Sequence, residues 1–317
     1  MTSVASGDRC RFRPPDVGAV VVWEVTDYCN LSCTHCCTDS GPERDRTYEL
    51  DADTMRQAAS DMVRAGVTEF YFSGGEPFVR LDLLDLIASI DPSTVEVYCN
   101  TNGYYVDEKV AARLANTAMR RVTVSIDGHT RGIHALVRGK ATSYDRAVNA
   151  VRVLLASGVP VRVSHVIHPG NLDHVEGFCE TMAGLGVSAM VLNTVFPAGR
   201  AARFPALALD SSQMASLAPR LDDLATSYGA RGVSIDHSVG KPPTSDIEGC
   251  PAGRTVFYVA ANGDVSTCSW LYKIDPGRFT LGNLAQASFA SLHATAEENL
   301  RGVRALATHC PLPMLDR

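Results

Sequence analysis

Cys29-Asn-Leu-Ser-Cys33-Thr-His-Cys36 places three thiols on one short run with C-x3-C-x2-C spacing. Three thiolates on one loop can hold three irons of a four-iron cluster, which leaves the fourth iron open to a small molecule. A closed four-cysteine site would carry electrons but bind no ligand. Structural zinc is the other reading. Zinc takes four ligands, usually from paired C-x2-C knuckles. Cys37 or His35 would have to supply the fourth, and the spacing suits such knuckles poorly.

A second set lies far along the chain: Cys250, Cys268 and Cys310. Cys250 and Cys268 flank a hairpin signal, Thr255–Ala260 and Asp264–Thr267 around Asn262-Gly263. Three buried cysteines acting as small hydrophobes would be the plain alternative. The chain has ten cysteines in all. In a reducing compartment such an excess points to metal binding or catalysis before disulfides. Cys99 and Cys179 fall on a strand and a helix candidate and are expected to pack in the core. Cys10 is left without a role.

These residues need elements to position them. Strand candidates run over Val20–Val25, Glu69–Ser73, Val95–Asn100, Arg121–Ile126, Val161–Ile167 and Ala189–Thr194, rich in β-branched and aromatic residues. Helix candidates lie between them: Asp53–Ala65, Ser143–Ala156 and Asn171–Leu185, each stopped by a glycine. Such alternation implies parallel strands joined by helical crossovers. Six units predict a partial (β/α)6 TIM-like barrel of the α/β class. The first cysteine run follows the first strand, on the C-terminal edge where such folds place their sites. The boundaries expected are an N-terminal extension over 1–19, the barrel over 20–205, a linker helix and loop over 206–245, and a small α+β tail over 246–317.

Composition narrows the class. The 317 residues carry 29 Lys and Arg against 35 Asp and Glu, a net charge of −6. An acidic chain without a basic run argues against a nucleic-acid partner. The polar N-terminus lacks a secretory signal and no apolar run is long enough to span a bilayer, so a soluble, cytoplasmic protein is expected.

Further motifs end the successive strands: Ser73-Gly74-Gly75-Glu76-Pro77, Thr101-Asn102-Gly103 and Ser125-Ile126-Asp127-Gly128. With the first cysteine run, their order and spacing resemble the radical S-adenosylmethionine superfamily over roughly Val20 to Asn193. By that resemblance Cys29, Cys33 and Cys36 hold a [4Fe–4S] cluster, with His35 where an aromatic residue is usual. Ser73, Gly74, Gly75 and Glu76 would receive the methionine amino group, with Asn102 beside them. Ser125 and Arg138 would take its carboxylate, in keeping with the two parallel charge-assisted bonds an arginine can make. Val166 and Ile167 would line the adenine pocket. His165 is as consistent with the cofactor site as with a core position.

The tail resembles a SPASM domain in its short Twitch form. That implies one auxiliary [4Fe–4S] cluster on Cys250, Cys268 and Cys310. The resemblance also implies a flavodoxin or ferredoxin-type electron donor, and a 5′-deoxyadenosyl radical that takes a hydrogen atom from unactivated carbon. Radical epimerases of this architecture return a hydrogen from a thiol, for which Cys250, Cys37 and Cys179 are the candidates. Twitch-type relatives make a carbohydrate-like small molecule the expected substrate, epimerised or dehydrogenated in natural-product biosynthesis, with decarboxylation a further outcome. So little chain precedes Val20 that no separate leader-peptide-binding domain is expected. The alternatives are epimerisation or crosslinking of a short ribosomal peptide, and a non-catalytic iron–sulfur carrier or sensor. Asn193 and Arg200, in Asn-x3-Pro-x-Gly-Arg, either reach substrate or stabilise their loop. The charged stretch from Thr38 to Glu49 reads as a solvated face.

Overall fold

The structure is a computed structural model that describes residues 18–240 and 251–296. Cys10, Cys250 and Cys310 lie outside the described residues. The elements run β1 (Ala19–Glu24), α1 (Ala52–Arg64), β2 (Val67–Ser73), α2 (Asp82–Ser89), β3 (Glu96–Thr101), α3 (Glu108–Leu114) and β4 (Met119–Ser125). Then come α4 (Arg131–Arg138), α5 (Thr142–Ala156), β5 (Val161–Ile167), α6 (Val175–Gly184), β6 (Ala189–Thr194), α7 (Ser211–Gly229) and β7 (Ser234–His237). The tail adds β8 (Val256–Val259), β9 (Asp264–Ser266), α8 (Ser269–Ile274) and β10 (Thr280–Asn283).

All ten strands form one sheet in the order β10-β9-β8-β1-β2-β3-β4-β5-β6-β7. From β8 to β7 every pairing is parallel. The expected partial barrel is there, with two differences. The segment expected as a linker helix and loop carries its helix, α7, and then β7, which pairs with β6. The tail hairpin joins the barrel sheet directly, with Val20–Trp23 of β1 opposite Val256–Val259 of β8. The boundaries expected at 205 and 245 therefore do not interrupt the sheet.

Local chemistry explains the elements. α1 is capped by Asp51, whose side chain accepts from the Thr54 N–H, and buries Met55, Ala58, Ala59 and Met62. α7 opens with a reciprocal capping box between Asp210 and Gln213. α2, α3 and α4 were not expected. They span two turns, too little for periodicity to declare itself.

Strand alternation sorts the two faces of the sheet. Trp23, Phe70, Phe72, Val122, Val124, Val163, Met190 and Leu192 are buried in the main core on the helix side. Trp23 packs against both Phe70 and Phe72. Each such side chain contributes about 1.5–3 kcal/mol of burial. The opposite face carries Glu24, Ser73, Asn100, Ser125, Ser164, Val166 and Asn193, polar with one exception, toward the C-terminal ends of the strands. That face is where a ligand can be held. No helix among the described residues is long and apolar enough to cross a membrane.

Candidate active site

The cysteine loop leaves the C-terminal end of β1 and is fastened from several sides. The Cys29 N–H donates to the Gly41 carbonyl at 3.2 Å, and the Thr34 N–H donates to the Val137 carbonyl of α4 at 2.8 Å. Cys29, Cys33 and Cys36 form one packed cluster, with Cys29 and Cys33 buried. Each sulfur has its own polar neighbour. Asn102 Nδ2 lies 3.6 Å from Cys29 Sγ, Arg138 Nη1 lies 3.8 Å from Cys33 Sγ, and Thr38 Oγ1 lies 3.3 Å from Cys36 Sγ.

Burial pushes the Cys29 thiol up to about 12 and raises Cys33 as well, Arg138 pulling the latter back. Thiols raised in this way, as Cys29 and Cys33 are, give up protons when they ligate metal. Among the described residues, no three His, Cys, Asp or Glu side chains converge on a single ion position. A four-iron cube asks instead for thiolates spread around its corners. Three neighbouring sulfurs, two buried and one half-buried, each beside its own polar group, fit that demand.

The Gly-Gly-Glu segment extends the β1–β2 pairing into this loop. The Gly75 N–H donates to the Thr26 carbonyl at 2.7 Å, and the Glu76 N–H to the Tyr28 carbonyl at 2.9 Å. A Cβ at Gly74 would stand 2.2 Å from the Thr26 carbonyl oxygen, and one at Gly75 2.0 Å from that of Tyr28. Only glycine fits, because backbone lies against backbone.

Glu76 is fully buried and accepts from Thr101 Oγ1 at 2.7 Å, the Asn102 N–H at 2.7 Å and the Phe78 N–H at 3.2 Å. Burial drives its carboxyl up to about 7 against the pull of these three donors. The sign follows. A carboxyl raised to about 7 gains its charge as pH rises through that value, so a cation that Glu76 held would be released as pH falls through it. S-adenosylmethionine affinity, measured by equilibrium dialysis between pH 6 and 8, should weaken toward pH 6. Glu76→Gln should flatten that profile and cost about 1–3 kcal/mol of stability, because an amide N–H₂ would then face donors.

Asp127 is the polar hub. Its Oδ2 lies 2.6 Å from Arg138 Nε and 3.2 Å from His35 Nε2, and its Oδ1 accepts from the Val166 N–H at 2.8 Å. Its own N–H donates to His134 Nδ1, and its carbonyl accepts from Asn171 Nδ2. Arg138 is anchored through Nε and Nη1, which leaves Nη2 without a bond among the described residues. That edge of the guanidinium suits a ligand carboxylate. Ser125 sits on the ligand face at the end of β4, paired with Ser164 of β5.

Two expected contacts are corrected. His165 turns to the helix side: its ring stacks on Phe178 of α6 at 4.0 Å and its Nδ1 lies 3.0 Å from the Ile126 carbonyl. Ile167 shares that face and is fully buried in the main core, so the neighbouring ligand-facing position is Val166. Cys179 is also fully buried in the core on α6, its thiol pushed up to about 12 by burial, and is not presented to the site. Cys99 packs in the core as expected. Cys37 is half-buried beside the cluster loop, and Cys268 stands at the N-cap of α8.

The tail supplies residues that sequence reasoning missed. Lys273 Nζ lies 2.8 Å from Glu24 Oε2, which also accepts from the Tyr258 hydroxyl at 2.9 Å. A cavity of about 190 Å³ opens between the cysteine loop and the tail, lined among others by Asp27, Thr38, Tyr48, Tyr258, Tyr272 and Lys273. Thr38 is the same residue that touches Cys36, so this cavity lies one side chain from the third thiol. No spacing rule links Glu24 to Lys273; only the β1–β8 pairing brings them together.

Residues 23–182 match the family described as the Radical SAM superfamily. Mycofactocin maturase MftC of Mycolicibacterium smegmatis is 30% identical over 276 residues, covering 85% of this chain and 68% of that protein. AdoMet-dependent heme synthase of Oleidesulfovibrio alaskensis is 23% identical over 297 residues, covering 88% and 75%. The crystal structure of Streptococcus suis SuiB bound to precursor peptide SuiA superimposes with a TM-score of 0.75 at 14% identity, over 95% of this chain and 73% of that one, which speaks for the fold. The family match spans β1 to α6 and includes all three cysteines, Glu76, Asp127 and Arg138. The chain belongs to the radical SAM superfamily, with the [4Fe–4S] cluster and S-adenosylmethionine which that membership implies.

Proposed function

We propose that this radical SAM enzyme acts on a peptide, abstracting a hydrogen atom from one residue seated between the cysteine loop and the tail. The cavity beside Thr38 carries the reading. Lys273 makes one bond among the described residues and so keeps donors for a carbonyl. Asp27, bonded by the Tyr48 hydroxyl at 2.9 Å, keeps acceptor capacity for an N–H. Side-by-side donor and acceptor suit a main-chain amide, and three tyrosines suit an apolar or aromatic side chain. The relatives named mycofactocin maturase and the fold neighbour that holds a precursor peptide favour the same substrate class. No relative reported above is named for a carbohydrate, so the sugar-like substrate expected from sequence gives way to the peptide alternative.

The bound cofactors supply a carbon-centred radical. The chain's own residues hold and orient: Arg138 and Ser125 a carboxylate, Glu76 an amine, Lys273 and Asp27 the peptide. The auxiliary cluster, proposed on Cys268 with Cys250 and Cys310, would accept an electron from the substrate. A flavodoxin or ferredoxin would reduce the first cluster.

The test uses the full chain, reconstituted anaerobically, reduced with dithionite and given S-adenosylmethionine. Short peptides encoded beside its gene are the probes. A peptide-dependent rise in 5′-deoxyadenosine, with loss of a hydrogen pair or deuterium uptake from heavy water in the peptide, is expected. A rise with an iron–coproporphyrin and none with any peptide would overturn the peptide reading.

A further inference from the structure

Arg200 reaches the cysteine loop from the segment that leaves β6. It is 8% exposed. Its Nη1 donates to the Cys33 carbonyl at 3.0 Å and its Nη2 to the Ser40 carbonyl at 2.7 Å. Its Nε lies 3.2 Å from Asp39 Oδ1, and Nη2 lies 3.6 Å from Glu43 Oε1. The backbone adds to the grip: the N–H groups of Arg200 and Ala201 donate to the Cys36 carbonyl at 2.9 and 3.2 Å. Among the described residues, every polar contact of this side chain goes to the loop from Cys33 to Glu43.

Two further observations show how closely the loop and the segment that clamps it fit together. Gly199 has φ +57, and a Cβ there would stand 2.6 Å from the Cys37 carbonyl oxygen and 2.9 Å from the Asp39 nitrogen. Asp39 itself has φ 55, the left-handed backbone that a non-glycine residue keeps when its surroundings fix it. Arg44, Arg200 and Arg203 all bond its side chain. A planar fork with five donors can span two carbonyls and a carboxylate at once, whereas a lysine presents one point charge.

We propose that Arg200 is a positioning residue for the radical-generating cluster. It fixes the limb from Cys33 to Ser40, so that Cys33 and Cys36 present their sulfurs at a set separation, and it touches neither cofactor nor substrate. The inference rests on family membership and stands whatever the substrate. It settles the two readings of the Asn-x3-Pro-x-Gly-Arg motif in favour of the loop for Arg200.

The experiment compares Arg200→Lys, Arg200→Ala and Arg203→Ala in the reconstituted full chain. Arg203 is exposed and bonds the same Asp39, but no loop carbonyl. The readout is the change in the electron paramagnetic resonance spectrum when S-adenosylmethionine is added to reduced protein, since the cluster that cleaves S-adenosylmethionine binds it at its open iron. Midpoint potential and circular dichroism are recorded alongside.

Arg200→Lys keeps the charge and the fold. It is expected to shift the S-adenosylmethionine-induced g-values and the midpoint, and to lower 5′-deoxyadenosine per responsive cluster on the order of ten-fold or more. Arg203→Ala should match wild type. A wild-type spectrum and midpoint in Arg200→Lys overturns the proposal. Should Arg200→Ala fail to fold, Arg200→Lys alone decides.

Discussion

Replacing Cys33 with alanine is expected to reduce cleavage of S-adenosylmethionine to background while the chain stays folded. Cys33 is the middle thiol of the run, buried with Cys29 and facing the guanidinium of Arg138. Without it two thiols of the C-x3-C-x2-C run remain, too few to hold three irons and leave one open, and Cys37 stands one residue out of that spacing. Serine in its place would be a poor substitute, because iron–sulfur clusters favour soft thiolate ligands. Iron counting checks the prediction and tests the tail at the same time. If the tail holds an auxiliary cluster, iron per chain should fall from about eight to about four. A variant that keeps its S-adenosylmethionine-responsive signal would remove Cys33 from the ligand set. The non-catalytic carrier reading fails in the same assay if wild type makes 5′-deoxyadenosine.

Asp127→Ala has the largest expected effect on stability. The carboxylate is fully buried and bonds Arg138, His35 and the Val166 N–H. Removing it strands a buried guanidinium, which costs about 3–5 kcal/mol. Thermal unfolding of the apo protein should shift down by roughly 5–12 °C. Burial alone would raise the Asp127 carboxyl; Arg138 and then His35 overcome it and hold the group well below the ordinary carboxylate range. A lowered folded value means stabilisation that is present above the unfolded carboxylate range and lost only as pH falls through the lowered one. The gap between wild type and Asp127→Ala should therefore stay constant from pH 8 down to pH 5 and close only in stronger acid. A gap that shrinks between pH 8 and pH 6 would show that Asp127 is not the ionised hub.

The strands of the barrel were legible because a parallel sheet buries continuous apolar runs, as in the Ala-Met-Val-Leu that opens Ala189–Thr194, a strand the sequence predicts to the residue. β7 was not, because Ser-Ile-Asp-His is short and mostly polar, and pairing with β6 rather than propensity makes it a strand. The cysteines and the glycine motif were legible since their chemistry is local. Asp127 stood in a recognised strand-end motif, yet its role depends on Arg138 and His35 arriving from two other segments. His165 and Ile167 were misplaced because strand position was known and strand face was not: period two sends both to the helices. Lys273 carries no local signal, and the motif that singles out Arg200 does not name its partner. Each acts on a partner far away in sequence, Glu24 in one case and Cys33 to Ser40 in the other.

β1 bears on when the site can exist. It lies between β2, made next, and β8, which belongs to the tail. During synthesis β1 keeps one edge open until β8 has emerged, and such late pairings are slow to close. The cysteine loop hangs from that same strand, and its clamp at Arg200 also arrives late. Metal loading is thus expected to follow the emergence of β8, with the nascent thiols exposed to oxygen until then. Expression under low oxygen should raise the yield of loadable protein by protecting the three cysteines during that interval, before any cluster is there to be damaged.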